Sequence, residues 1–409
     1  MQDNRKKLFS ERQWALIASI FLMATSAMGP GFLTQTATFT AKMGAAFGFG
    51  ILLSIIIDYV VQQNIWRVVT LTQMRAPEVA NAALPGSGYV LAVLVILGGF
   101  FFNIGNIAGA ALGLNALLGL DTKWGGVISG GIAILIFASK QATAVVDKSM
   151  MVLGIVKILI VVIVAIIVAP PVGDAFHQTI LPSHIDFASI TTIVGGTVGG
   201  YICYSGAHRL LDKGAVGPEN IKEVSSAATK GIIVVGIVRY VLFLAILGVV
   251  TSGAMIDLSS KNANPAAQAF QYAAGEFGFK IFGLIFFAAG ISSAIGAAYT
   301  SVSFFTVFKK DISLKQRNTC TVIFIAAALL LFVILGATPA SLLIFVGGFN
   351  GLVLPIGLTL FVYVAAFRKD LIGYQGYPKW LTVLGILTCV LTWYMGYISF
   401  NTIFHYLES

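Results

Sequence analysis

Two apolar stretches of this chain are interrupted by residues suited to holding a small solute through the backbone. One interruption is Gly29-Pro30-Gly31, followed by Phe32; the other is Gly195-Gly196-Thr197-Val198-Gly199-Gly200, followed by Tyr201. Inside a bilayer, unpaired backbone groups cost several kcal/mol each unless they line an enclosed or watery cavity. Paired, glycine-interrupted spans in corresponding halves of a membrane protein point to a transporter's binding site. The half-helix after each break would offer free N–H groups and a positive dipole end, which favour anions. Glycines let a ligand approach the backbone closely. Tyr201, Tyr204, Ser205, Asn106 and Asn350 would add neutral hydrogen-bonding groups nearby, and neither break carries a carboxylate. No nucleophile–base pair, phosphate loop or redox motif occurs, so the chemistry is capture and release, not catalysis.

Few charged groups lie within apolar stretches. Asp58 stands deep in one, away from the breaks, where a structural or gating role is expected of it. Lys157 and Arg239 are intramembrane cations, a class that marks function by default. His208 and Arg209 fall at one end of the second interrupted stretch, beside Asp212 and Lys213. They suit an interfacial anchor or an electropositive inner vestibule. His177 and His184 belong to a solvated loop.

The elements that must position these groups are membrane helices. Of 409 residues, 58% are hydrophobic and only 10% charged, a balance that excludes a soluble domain of this size. Eleven spans are expected, at 14–41, 45–72, 88–118, 122–139, 147–169, 187–211, 229–252, 277–308, 317–337, 339–367 and 379–404. Lys and Arg set the orientation. With the N-terminus cytoplasmic, Arg5, Lys6, Lys7, Arg12, Arg75, Lys140, Lys148, Lys309, Lys310, Arg317, Arg368 and Lys369 all fall inside. Lys42, Lys123, Lys261 and Lys280 fall outside, as does the C-terminus. This scatter over short loops explains the net charge of +9 and argues against nucleic-acid binding. The first span is too long for a cleavable leader. Cys203, Cys320 and Cys389 lie within spans and read as packing residues. The chain is expected to be one transmembrane domain, 1–409, with repeats at about 14–169 and 187–367 and an extra helix at about 379–404. The small-residue runs 105–111 and 288–294 occupy the third span of each repeat.

Several of these segments resemble the NRAMP family. Ile104 to Leu120 (IGNIAGAALGLNALLGL) is similar to the family's IAEVIGTAIALNLLFGI. Gln62-Gln63-Asn64-Ile65-Trp66-Arg67 resembles the start of QELSARLGVVTG. Ala289-Gly290-Ile291-Ser292-Ser293 resembles AGQSST, and Phe349 to Leu358 resembles LQSIQLPFAL. The similarity runs from about Met28 to Phe367. It implies an all-α integral membrane protein of LeuT-like fold: two inverted five-helix repeats plus an eleventh helix. The family's activity is proton-coupled transport of divalent metals.

The departures bear on the solute. Where the family reads Asp-Pro-Gly-Asn, this chain has Gly29-Pro30-Gly31-Phe32, so both metal-holding oxygens are gone. The family's Ala-Thr-Val-Met-Pro-His becomes Gly196-Thr197-Val198-Gly199-Gly200-Tyr201. A second family His aligns with Gly206, the proton-relay acids with Asn103 and Asn106, and a Gln near the metal with Asn350. A desolvated divalent cation needs anionic or strongly coordinating ligands. No metal site or cofactor is therefore expected. The expected function is secondary-active transport of a small solute, foremost an anion such as bicarbonate. A small organic or amino acid, or a proton-coupled Mn²⁺ or Mg²⁺ ion, is the alternative. The expected partners are that solute and the lipid bilayer, around a monomer in the cell membrane.

Overall fold

The computed structural model describes residues 11–138, 142–253, 255–258, 265–335, 340–373 and 377–405. Arg5, Lys6, Lys7, Lys140, Lys261 and the residues after His405 lie outside them, as does the side chain of Lys157. The described elements are helices: α1 Glu11–Ala27, α2 Pro30–Met43, α3 Phe47–Thr72, α4 Ala76–Ala83, α5 Ser87–Leu118, α6 Thr122–Ala138, α7 Ala142–Val168 and α8 Val172–Ile180. They continue with α9 Phe187–Thr197, α10 Ile202–Asp212, α11 Ile221–Thr251, α12 Pro265–Ser303, α13 Leu314–Leu335, α14 Ala340–Phe367, α15 Lys369–Ile372 and α16 Lys379–His405. No strand occurs among the described residues.

Local sequence explains the element ends. Pro30 takes the first turn of α2, where a missing N–H costs nothing. Asp186 caps α9: its Oδ1 accepts from the Ala188 amide at 3.0 Å, and Ser189 Oγ donates to its Oδ2 at 2.5 Å. Gly119, left-handed at φ 68°, closes α5. The segment expected to be an outer loop before the eighth span is partly helical. α12 begins at Pro265 and turns at Ala274 and Gly275, the latter at φ 58°.

Among the described residues, eight helical stretches are long and apolar enough to cross a bilayer, and Thr122–Ala138 is a shorter apolar helix. Ile166, Leu330 and Val390 point outward as exposed apolar side chains, as lipid contact requires. The small-residue runs pack on each other. Gly113 lies against the Gly283 carbonyl, and Gly290 against the Asn106 carbonyl and Ala110, so α5 and α12 meet backbone to backbone. Cys203, Cys320 and Cys389 form no disulfide.

Candidate solute site between two helix breaks

The chain unwinds twice, at Met28–Gly29 between α1 and α2, and at Val198–Tyr201 between α9 and α10. The second break is shorter than the glycine pattern suggests, since Gly195 and Gly196 remain helical. Those two glycines serve packing instead. A side chain on Gly195 would strike the Gly347 carbonyl of α14, and one on Gly196 would strike Gln35 of α2.

At the first break, Gly29 is extended (φ −80°, ψ 177°). A Cβ there would lie 2.8 Å from Ser293 Oγ and 3.2 Å from Asn106 Oδ1. Ser293 Oγ donates to the Thr25 carbonyl at 2.9 Å, satisfying a last-turn acceptor of α1. Pro30 rests on Gly109. Gly31 is roomier, its nearest neighbours being Phe102, Gln35 and the Leu343 carbonyl, at 3.5 to 3.9 Å from a built Cβ. Phe32 is buried and closes one wall. Met28, also buried, is a thioether-bearing residue of this break.

At the second break, Gly200 adopts φ 60° and Gly199 packs on the Asn350 backbone. Asn350 Nδ2 donates to its own helix at Val346, 2.8 Å away, while Oδ1 is directed at Gly200 and Gly98. Tyr201 joins the two breaks. Its ring meets Phe102 edge to face, with centroids 5.6 Å apart, and its hydroxyl faces Asn106 and Ser26. Gly29, Asn106, Tyr201, Gly199, Gly200 and Asn350 are thus linked by direct neighbours. Tyr204 and Ser205 are not brought to the same place. Tyr204 packs among His208, Phe304 and Phe361 with its hydroxyl against Gly357, and Ser205 Oγ donates to the Ile202 carbonyl at 2.8 Å.

The lining holds more neutral polar groups than the break residues alone. Gln35 Nε2 donates to the Leu343 carbonyl at 2.9 Å, and Gln35 Oε1 faces Gly196. Among the described residues, Ser26 Oγ, Gln35 Oε1, both polar atoms of Asn103, Asn106 Nδ2, Ser301 Oγ and Asn350 Oδ1 are buried without a hydrogen-bond partner. Each such deficit costs about 1–3 kcal/mol unless water or a solute fills it. Sequence reasoning missed Ser26, Gln35, Ser293 and Ser301. Their signal was a polar residue within a turn or so of a break, or on a small-residue face, inside an apolar run.

Two ionic clusters flank the site. Arg239 of α11 pairs with Asp58 of α3 at 2.8 Å, both buried, and also reaches the Thr197 carbonyl, so Asp58, expected away from the breaks, is joined to the second one through Arg239. At the far end of α10, Asp212 binds Arg75, Arg317 and the Tyr299 hydroxyl, while Arg209 and Lys213 bind Asp147 of α7. The guanidinium groups of Arg209 and Arg317 stand over the Tyr299 ring, 5.2 and 5.1 Å from its centroid. His208 accepts from the Ala76 amide at 2.9 Å and bonds Ser303 at 2.6 Å. Among the described residues, no three His, Cys, Asp or Glu side chains are grouped to hold a metal ion.

A family model described as natural resistance-associated macrophage protein-like matches residues 20–402. An uncharacterized membrane protein of Bacillus subtilis (strain 168), YcsG, is 49% identical over 403 residues, covering 98% of each chain. An uncharacterized membrane protein of Haemophilus influenzae is 45% identical over 400 residues, again covering 98% of each. Among solved structures, a mutant of the Eremococcus coleocola manganese transporter superposes with a TM-score of 0.74 at 15% identity. It covers 98% of this chain and 89% of that one. MhsT in complex with L-phenylalanine superposes with a TM-score of 0.60 at 16% identity, over 95% of this chain and 98% of that one. These likenesses give the LeuT-like fold.

Proposed function

Because this chain belongs to the natural resistance-associated macrophage protein-like family, and is a multi-pass membrane transporter and not an enzyme, we propose that it carries a small monoanion, bicarbonate foremost, by secondary-active transport. The observation that carries this reading is the neutral lining between the breaks. Amides, hydroxyls and unwound backbone converge there. The carboxylate beside the second break, Asp58, is already paired with Arg239. One thioether, at Met28, is too poor a ligand set for a dication that must shed its water. A planar oxyanion accepts hydrogen bonds from backbone N–H groups and from donors such as the unpartnered Asn106 Nδ2 and the Tyr201 hydroxyl, beside the aromatic walls Phe32, Phe102 and Tyr201. In this reading the substrate contacts are Gly29, Pro30, Gly31, Phe32, Asn106, Gly199, Gly200, Tyr201 and Asn350. Tyr204 and Ser205, expected among the contacts, are buried further along α10 with partners of their own and are not among them. The N-terminus faces the cytoplasm, the C-terminus the exterior, and the transporter works as a monomer in the cell membrane.

Such a site binds weakly, with a dissociation constant of about 1 mM, or roughly −4 kcal/mol. The test is uptake of labelled bicarbonate into proteoliposomes, with Mn²⁺ and Mg²⁺ assayed in parallel. Saturable bicarbonate uptake without saturable metal uptake is expected. Saturable Mn²⁺ uptake that is lost when residues at the breaks are changed overturns the reading.

A further inference from the structure

The second break begins at a carbonyl held by a cation. Arg239 is fully buried and donates through Nη2 to the Thr197 carbonyl at 3.0 Å and to Asp58 Oδ2 at 2.8 Å. Thr197 is the last residue of α9, so the carbonyl that Arg239 holds belongs to the peptide unit leading into the unwound backbone. It also offsets the negative dipole end of α9, which would otherwise repel an anion at this point.

The pair is not saturated. Arg239 Nε and Nη1, Asp58 Oδ1 and Gln62 Nε2 have no hydrogen-bond partner among the described residues. Buried charges are costly even when paired, and more so with hydrogen-bonding capacity left unfilled. The groups bearing on Asp58 are Arg239 from α11, the Cys203 thiol from α10 and the Gln62 amide one turn along α3 itself. Cys203 in turn touches Tyr204, and Gln62 Oε1 accepts from the Trp66 indole at 2.7 Å. α9 approaches through the Thr197 backbone.

We infer that Arg239 is the charge partner of the transported anion at the second break, and that proton uptake by Asp58 makes it available. This rests on the monoanion reading above and adds to it the counter-charge and the co-transported ion. With Asp58 ionised, the pair is neutral, and an entering anion meets no net positive charge. With Asp58 protonated, Arg239 keeps the Thr197 carbonyl but carries one unbalanced charge in a low-dielectric site, which an anion balances. The proton comes from the aqueous phase, adds to the unpartnered Oδ1, and leaves to the opposite phase with the anion. Only an O–H bond is made and broken. Proton and anion therefore favour each other's binding by the same factor, and one of each crossing together moves no net charge.

The test uses the purified full chain with bicarbonate and with nitrate, a planar monoanion that does not titrate. Infrared difference spectra between about pH 5 and pH 9 follow the carbonyl stretch of a protonated carboxylic acid. In wild type this band is expected at low pH and is expected to persist about one pH unit higher with saturating nitrate, a tenfold linkage. It should vanish in Asp58→Asn. Tryptophan fluorescence reads affinity: Asp58→Asn should bind either anion about tenfold more tightly than wild type at the alkaline end, without pH dependence. Arg239→Gln should lose binding. The double variant Asp58→Asn/Arg239→Gln, a neutral pair, should melt as a folded protein and still not bind. If both anions bind but wild type and Asp58→Asn share one pH profile, this inference fails and the monoanion reading stands. If neither anion binds wild type, the monoanion reading fails and takes this inference with it.

Discussion

Asn350 Oδ1 occupies the space that a side chain at Gly98 or Gly200 would need. Gly200 is also left-handed, which costs other residues about 1–2 kcal/mol before any clash is counted. Gly200→Val therefore damages the fold itself, and lost transport in that variant would not locate a solute. Gly31 is the cleaner probe, since the nearest atoms to its built Cβ are 3.5 to 3.9 Å away, in ordinary contact. Gly31→Ala is expected to elute and melt like wild type while slowing bicarbonate uptake several-fold. Gly200→Val should lower the melting temperature and the yield, in line with overpacking costs of about 1–3 kcal/mol. A Gly31→Ala variant with unchanged uptake would remove the first break from the solute's path. The glycines also show what a sequence hides at this scale. Gly195 and Gly199 both lack a side chain, but one stays helical against α14 and the other unwinds. Close packing and backbone exposure make the same demand on residue type, so only the fold separates them.

The α10 half-helix leaves the second break and ends in a knot of charge. Its last turn reaches the start of α4 through Arg75, α13 through Arg317, α12 through Tyr299 and α7 through Asp147. Hydropathy placed most of these helices to within a few residues, but not this meeting, because Asp212 finds Arg75 and Arg317 across 137 and 105 residues. Long-range pairs leave no periodic trace in a chain read by itself. An element tied at one end and unwound at the other is free to swing only when the tie opens. Exposed ion pairs contribute little, but this cluster is largely buried and stacked on an aromatic ring, so removing one partner leaves others unpaired. Beside it, a crevice of about 380 Å³ between α1 and α7 is lined by Trp14, Phe21, Asp147, Lys148 and Lys213. Asp212→Asn is expected to free α10 and expose the buried Cys203. In a Cys320→Ser/Cys389→Ser background, maleimide labelling of Cys203 should speed up about tenfold, matching a bias of roughly 1.4 kcal/mol toward the open form. Labelling at the wild-type rate would mean that this end does not gate access to the site.

A manganese transporter and this chain share one backbone plan at 15% identity, and the plan says little about cargo. Small-residue spacing, interrupted helices and the Pro30-Gly31 pair specify how the helices cross, and they were legible as a fold from the sequence. The cargo depends on a handful of side chains placed by that fold, and there resemblance stops being informative. Restoring the resembled family's ligands tests how deep the divergence goes. In Gly29→Asp/Phe32→Asn/Gly199→Met, the new Asp Cβ would press on Ser293 Oγ at 2.8 Å and meet the Asn106 side-chain Oδ1 at 3.2 Å. The Met side chain would start 2.8 Å from the Asn350 carbonyl carbon and 2.9 Å from Gly195 Cα, tighter than real side chains pack. The site has closed around its glycines, so three ligands alone do not rebuild a cation cage without the surrounding groups that orient them. The added carboxylate also repels an anion at close range. Bicarbonate uptake should therefore fall to background, while calorimetric titration shows no Mn²⁺ binding at micromolar concentrations in either wild type or the triple variant. Full bicarbonate flux in a folded triple variant would place the solute away from the two breaks. Micromolar Mn²⁺ binding by wild type would show that amides, backbone carbonyls and Met28 suffice for the ion, and the reading of the whole molecule would turn back to a metal carrier.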